Sequence, residues 1–193
     1  MAFDEKVSKK ISRETITIKE KIKEANSLIA GFAAAYPILL LGDQENYGSL
    51  KEAKQKLGSQ GLSALMLEEV ASTCLSDATK MDCINGFEGT ILMVAGKNPG
   101  TATETTIIRK NKALRHKTHL FFEGGIPDYA KNVKDYPMYF PRKTGFKNEK
   151  EFVETICWVA RQDAFVHAND KAMEKLGDKH LNGENQVVTG EAK

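Results

Sequence analysis

Gly89-Thr90-Ile91-Leu92-Met93-Val94-Ala95-Gly96-Lys97-Asn98-Pro99-Gly100-Thr101-Ala102-Thr103-Glu104 is the stretch that decides the fold of this chain. Its first part is a short apolar run closed by turn formers, the pattern of a strand buried on both faces of a parallel sheet. Gly96, Pro99 and Gly100 make the turn, and Thr101 or Thr103 supplies an N-cap for a helix carrying Ile107, Ile108 and Leu114 to Lys117. A buried strand that opens through a turn into a helix is half of a strand–helix–strand unit.

The pattern repeats on both sides. Upstream, Pro37-Ile38-Leu39-Leu40-Leu41-Gly42 is a second wholly apolar run. After a loop from Asp43, Ser49 and Glu52 form a capping-box pattern, and the helix they open is closed by Gly58, Ser59 and Gly61. Leu62–Leu67 is a further apolar run, ending in Glu68-Glu69, and a helical or irregular segment spans Ser76 to about Phe87. Downstream, Thr118–Phe122 reads as the fourth strand and Met138-Tyr139-Phe140 as a short fifth. Thr144 or Asn148 starts a final helix to about Leu176, which holds Phe152, Trp158, Phe165 and Val166. Phe152 and Trp158 are read as core, and residues 177–193 as a disordered tail.

Residues 3–32 read as one long amphipathic helix, with Val7, Ile11, Ile18, Ile22 and Leu28 on its apolar side. Thr15-Ile16-Thr17 weakens its middle, and Tyr36-Pro37 ends it. Two uses stay open for it: covering the sheet, or serving as an arm for a homo-oligomer. The organisation is therefore an N-terminal helical segment (1–35), an α/β nucleotide-binding-like domain (36–176) and a tail. The fold class is α/β, a three-layer doubly wound parallel sheet of the flavodoxin or Rossmann kind with four or five strands. The expected strand order is 2-1-3-4-5.

Composition narrows the function. The 193 residues hold 28 basic and 26 acidic side chains, a net charge of +2, which offers no concentrated basic face for nucleic acid. The three cysteines, Cys74, Cys83 and Cys157, are widely spaced, without a CxxC pair, and read as reduced thiols; no metal site is expected. The start Met1-Ala2-Phe3-Asp4-Glu5-Lys6 is polar, and the apolar stretch 29–41 is broken by Gly31, Tyr36 and Pro37, so neither a signal peptide nor a membrane span is expected and the expected location is cytoplasmic. No GxxxxGK[ST] or GxGxxG phosphate loop is present.

In a doubly wound sheet, ligands bind at the carboxyl ends of the strands where strand order reverses. In the expected order that point collects Gly42, Asp43 and Gln44 from the first strand and Gly96, Asn98, Gly100, Thr101 and Glu104 from the third. The glycines permit close backbone approach, and free N–H groups at a helix start favour an anion such as phosphate. Each residue also has a plainer reading: Glu104 as a first-turn dipole partner, Asp43 as a turn residue after a strand. His116 and His119 flank Lys117 at a helix–strand boundary and read as helix C-terminal cations. Glu68-Glu69 reads as a solvated pair.

Gly100-Thr101-Ala102-Thr103-Glu104, the preceding hydrophobic strand, and Leu39-Leu40-Leu41-Gly42 resemble the signature of the nucleoside 2-deoxyribosyltransferase-like superfamily, over about residues 36–123. Related TIR-type NAD-cleaving domains likewise place a glutamate after a buried strand. The resemblance implies a nucleotide- or NAD-directed N-glycosidic-bond enzyme, a glycosidase or deoxyribosyltransferase, with Glu104 as the carboxylate that attacks or stabilises the anomeric carbon. Asp43 would bind ribose hydroxyls or act as a second carboxylate. No cofactor is required; a nucleotide, nucleoside or NAD enters as substrate or ligand. The chain departs from the family pattern at Asn98, where an acidic residue is usual, and an amide cannot serve as general acid. The other function expected is a non-catalytic nucleotide sensor built on the same crevice.

Overall fold

The structure is a computed structural model that describes residues 2–71, 77–95, 105–106, 108–124 and 140–184, with the side chains of 15–70, 82–95, 105–106, 108–124 and 140–177. In chain order the elements are α1 (Ala2–Ala35), β1 (Pro37–Leu41), a 3-10 turn (Gln44–Asn46), α2 (Tyr47–Ser59), β2 (Ser63–Met66), α3 (Leu67–Ala71), α4 (Asp77–Gly86), β3 (Thr90–Val94), α5 (Lys112–Lys117), β4 (Thr118–Glu123), β5 (Arg142–Phe146) and α6 (Glu149–Glu184). The strands form one five-stranded sheet in the order β2-β1-β3-β4-β5, as expected, and every pairing is parallel.

The apolar runs are continuous because both faces of the sheet are covered. Ile38 and Leu40 of β1, Leu92 and Val94 of β3 and Phe121 of β4 share one core with Leu50, Ala53 and Leu57 of α2 and Phe152, Val153 and Ile156 of α6. The alternate residues Leu39, Leu41, Ile91, Met93 and Leu120 share a second core with Ile84 of α4, Leu114 of α5 and Ile108, which lies in the helical turn before Asn111 and outside α5 itself. Each such large side chain contributes about 1.5–3 kcal/mol relative to exposure. Ile38 pairs with Thr90 and Leu41 with Met93, which sets the two central strands in register.

Gly89 fixes how closely those strands approach. A Cβ there would lie 1.7 Å from the Pro37 carbonyl oxygen, so only glycine fits. Gly61, at φ +77, closes α2: the Leu62 N–H reaches the Leu57 carbonyl and the Gly61 N–H reaches that of Gly58. Asn148 caps α6 by accepting from the Glu151 N–H at 2.9 Å, while the Glu151 carboxylate reaches back to the Lys147 N–H at 2.8 Å.

Several local expectations need correction. Ser49 lies inside α2, which begins at Tyr47 behind an Asn46 cap position, so the Ser49–Glu52 capping box does not form. The strand that pairs with β4 is Arg142–Phe146; of the expected Met138-Tyr139-Phe140, Phe140 is a fully buried core residue outside that strand, and 138–139 lie outside the described residues. Thr144 is therefore in a strand. The helix expected to run to Lys117 is interrupted at Asn111, whose side chain accepts from the Ala113 and Leu114 N–H groups and starts α5 afresh. The threonines at 15 and 17 do not break α1. The final helix continues to Glu184, past the expected end at Leu176; residues 185–193 lie outside the described residues. Trp158 is 56% exposed, so it is not core, whereas Phe152 is.

The chain divides into two compact units, 35–164 and a second whose described residues come from α1 and from the part of α6 that begins at Phe165. The first holds the whole sheet. In the second, Ala168 and Ala172 are buried, and Lys175 Nζ sits 5.8 Å over the Phe32 ring. Among the described residues no helix is long and apolar enough to cross a membrane.

Candidate functional site at the carboxyl edge of the sheet

Strand order reverses between β1 and β3, so the carboxyl ends of these two strands form the switch point. Gly42 leaves β1 beside Val94: a Cβ on Gly42 would lie 3.5 Å from Val94 Cβ and 2.8 Å from Leu50 Cδ1. Its small size therefore serves packing between β3 and α2, whatever else it does. Gln44 is exposed and opens the 3-10 turn.

Asp43 sits between them and uses its two carboxylate oxygens differently. Oδ1 accepts from the Asn46 amide side chain at 2.7 Å and from the Asn46 N–H at 3.3 Å, which caps the 3-10 turn. Oδ2 is buried and has no hydrogen-bond partner among the described residues. Turn chemistry thus accounts for one oxygen only. A buried acceptor left unmatched costs about 1–3 kcal/mol, and such atoms are rare enough to point to a role.

On the β3 side, Gly96, Asn98, Gly100, Thr101 and Glu104 lie outside the described residues. The flanking positions are described. Ala95 continues the ladder by donating to the Phe121 carbonyl at 2.7 Å. Thr105, which follows Glu104 in sequence, is buried, with its hydroxyl 3.9 Å from Met93 Sδ. Both ends of the 96–104 segment are therefore tied to the carboxyl end of β3.

The opposite, amino edge of the sheet carries a polar cluster that the sequence reading missed. The Thr90 hydroxyl lies 2.6 Å from Asp163 Oδ2, and Arg142 Nη2 pairs with Asp163 Oδ1. His119 is buried, shares a 2.8 Å hydrogen bond with Thr144 through Nε2 and stacks on Phe121 at 4.8 Å. Burial, followed by the nearby Arg142 charge, holds His119 down at a pKa of about 4, against a smaller opposing pull from Asp163. The expectation of a cationic His119 at a helix end is corrected: it is a neutral strand residue. Burial and then the Asp163 charge raise the Tyr36 hydroxyl pKa, with Arg142 opposing. The sequence signal was faint, since Thr90 and Asp163 are 73 positions apart.

The remaining candidates are structural. Glu69 sits in α3, accepts from the Met66 N–H at 2.8 Å and pairs with Lys54, so it is no loose loop carboxylate; those two hydrogen bonds, Lys54 first, lower its pKa. Burial lowers the Lys117 pKa, and its ammonium donates to the Phe87 carbonyl. Burial raises the pKa of the Cys157 thiol, which faces the Ala53 carbonyl at 3.7 Å. Cys74 lies outside the described residues. Among the described residues no group of three or more His, Cys, Asp or Glu side chains is placed to hold a metal ion.

No family model matches the chain, and no curated protein matches it. Among solved structures it is similar to the CMP N-glycosidase BcmB of Clostridium botulinum, at 15% identity and a TM-score of 0.43, over 62% of this chain and 97% of that one. At that level of likeness, the functional reading rests on the chain's own residues.

Proposed function

We propose that this chain is an N-glycosidic-bond hydrolase acting on a nucleotide or on NAD, with Glu104 as the carboxylate directed at the anomeric carbon and Asp43 holding the ribose. The observation that carries the reading is Asp43 Oδ2, a buried acceptor without a partner at the point where strand order reverses. Ribose offers hydroxyl donors of the kind that atom lacks. The resemblance of Gly100–Glu104 to a nucleoside-processing signature, and the anchoring of Ala95 and Thr105 to β3 and β4, support the assignment of the second carboxylate.

Cleavage breaks the bond between the anomeric carbon and the base nitrogen, and its electron pair leaves with the base. The carbon passes through an oxocarbenium-like state that an adjacent carboxylate stabilises or attacks. Water then adds to the carbon and releases a proton. With NAD the departing nicotinamide carries its positive charge beforehand, so the electron pair neutralises it and no general acid is needed. That chemistry tolerates Asn98, where a proton donor would otherwise be expected.

The test is incubation with NAD and with nucleoside monophosphates, followed by chromatography of the products. Release of free base is expected, and Glu104→Gln should lower it at least about 100-fold with the melting temperature unchanged. Equal turnover in Glu104→Gln would remove that residue from the mechanism. Asn98 also favours a second reading, a sensor that binds without turnover. In that case nucleotides raise the melting temperature and no base appears. If nucleotides do neither, both readings fail.

A further inference from the structure

We propose that His119 is an acid-sensitive latch at the amino edge of the sheet: neutral, it holds β5 and the 149–164 part of α6 against β4, and protonated it releases them. The groups facing it come from every side. Thr144 and Arg142 are on β5, Asp163 is on α6, and Phe121 stacks on its ring from β4 itself; Tyr36, just before β1, feels the same Asp163 and Arg142 charges.

In the neutral state one ring nitrogen, Nε2, is matched by the Thr144 hydroxyl, and the ring fills the space beside Phe121. The other nitrogen, Nδ1, is buried with no partner among the described residues. An imidazolium there would hold a charged donor away from water and next to the Arg142 guanidinium. The neighbouring anion among the described residues, Asp163, has Oδ1 engaged by Arg142 and Oδ2 by Thr90. A proton on His119 favours a shift of Asp163 toward the ring, which loosens its geometry with Arg142 and Thr90, or a movement of the ring toward solvent. Both separate β5 and α6 from β4, while the carboxyl edge is untouched.

The sign follows from linkage. His119 titrates at about 4 in the folded chain against 6.5 when exposed, so the native state binds fewer protons than the unfolded state between those values. The contribution is fully present above pH 6.5 and is lost as pH falls toward 4. From pH 7.5 to pH 5 this single residue should lower the folding equilibrium constant about 30-fold.

The experiment compares the full chain with His119→Phe, which keeps the stacking and cannot take a proton. Unfolding midpoints and amide exchange are followed from pH 7.5 to 5. The wild type should lose stability over that range by about 30-fold more than the variant, with exchange quickening first over 142–146 and 149–164. An NMR titration of the His119 ring in the wild type needs no variant and should show it uncharged down to pH 5. Titration near 6.5 would overturn the proposal. So would an equal loss of stability in His119→Phe, or acid sensitivity that persists in His119→Phe and disappears in Asp163→Asn.

Discussion

The two edges of the same parallel sheet are built on opposite plans. At the amino edge, side chains from β3, β4, β5 and α6 meet one another: Thr90 and Arg142 share Asp163, and Thr144 meets His119. At the carboxyl edge, Asp43 caps its own turn with one oxygen and leaves the other, although buried, unmatched. Polar groups that satisfy one another hold elements together, and the same low-dielectric setting makes an unmatched one costly. The contrast teaches that, among the described residues, this fold joins several elements through side-chain hydrogen bonds at the amino edge, with His119 Nδ1 left over inside that cluster, whereas the unmatched Asp43 oxygen lies where strand order reverses.

Substitutions at the two edges should therefore separate stability from function. The largest effect belongs to the amino edge. Gly89→Ala drives a methyl group into the Pro37 backbone, where no side-chain rotation relieves it, and β1 and β3 must part. A loss of about 3–5 kcal/mol in urea unfolding is expected. A wild-type midpoint would mean that the two central strands lie further apart than described. Asp43→Asn should do the reverse. An amide oxygen can still cap the 3-10 turn, so stability should shift by less than about 1 kcal/mol. Base release from NAD or nucleotides, or nucleotide affinity if there is no turnover, should fall at least about 10-fold, since a charged acceptor for a hydroxyl is worth about 1.5–3 kcal/mol. If Asp43→Asn instead melts the fold and spares ligand binding, the two edges are not different in kind.

The same physics explains what was legible in the sequence. Central strands such as Pro37–Leu41 and Thr90–Val94 are buried on both faces, so their apolar runs announce them, and their alternation with helices pointed to a parallel sheet. Strand Arg142–Phe146 is an edge strand with only alternate residues covered and only Phe146 fully buried, so its charged composition hid it, and the nearby aromatic run at 138–140 looked more strand-like. Local chemistry was read well where it is local, as at Gly61 and Asn148, and misread at Ser49 because Asp43 and the 3-10 turn start the helix earlier. Asp43 was visible as a residue after a strand. That one of its oxygens would be buried and unpartnered was not, because burial is set by packing from distant parts of the chain. The amino-edge cluster was invisible for the same reason.

Amide exchange of the full chain with and without a saturating nucleoside monophosphate or NAD compares the two edges directly. The account predicts slowed exchange at residues 42–46 and 93–95 on binding, with no change at 117–119 and 142–144. Protection confined to the amino edge, or none at either edge, would contradict it.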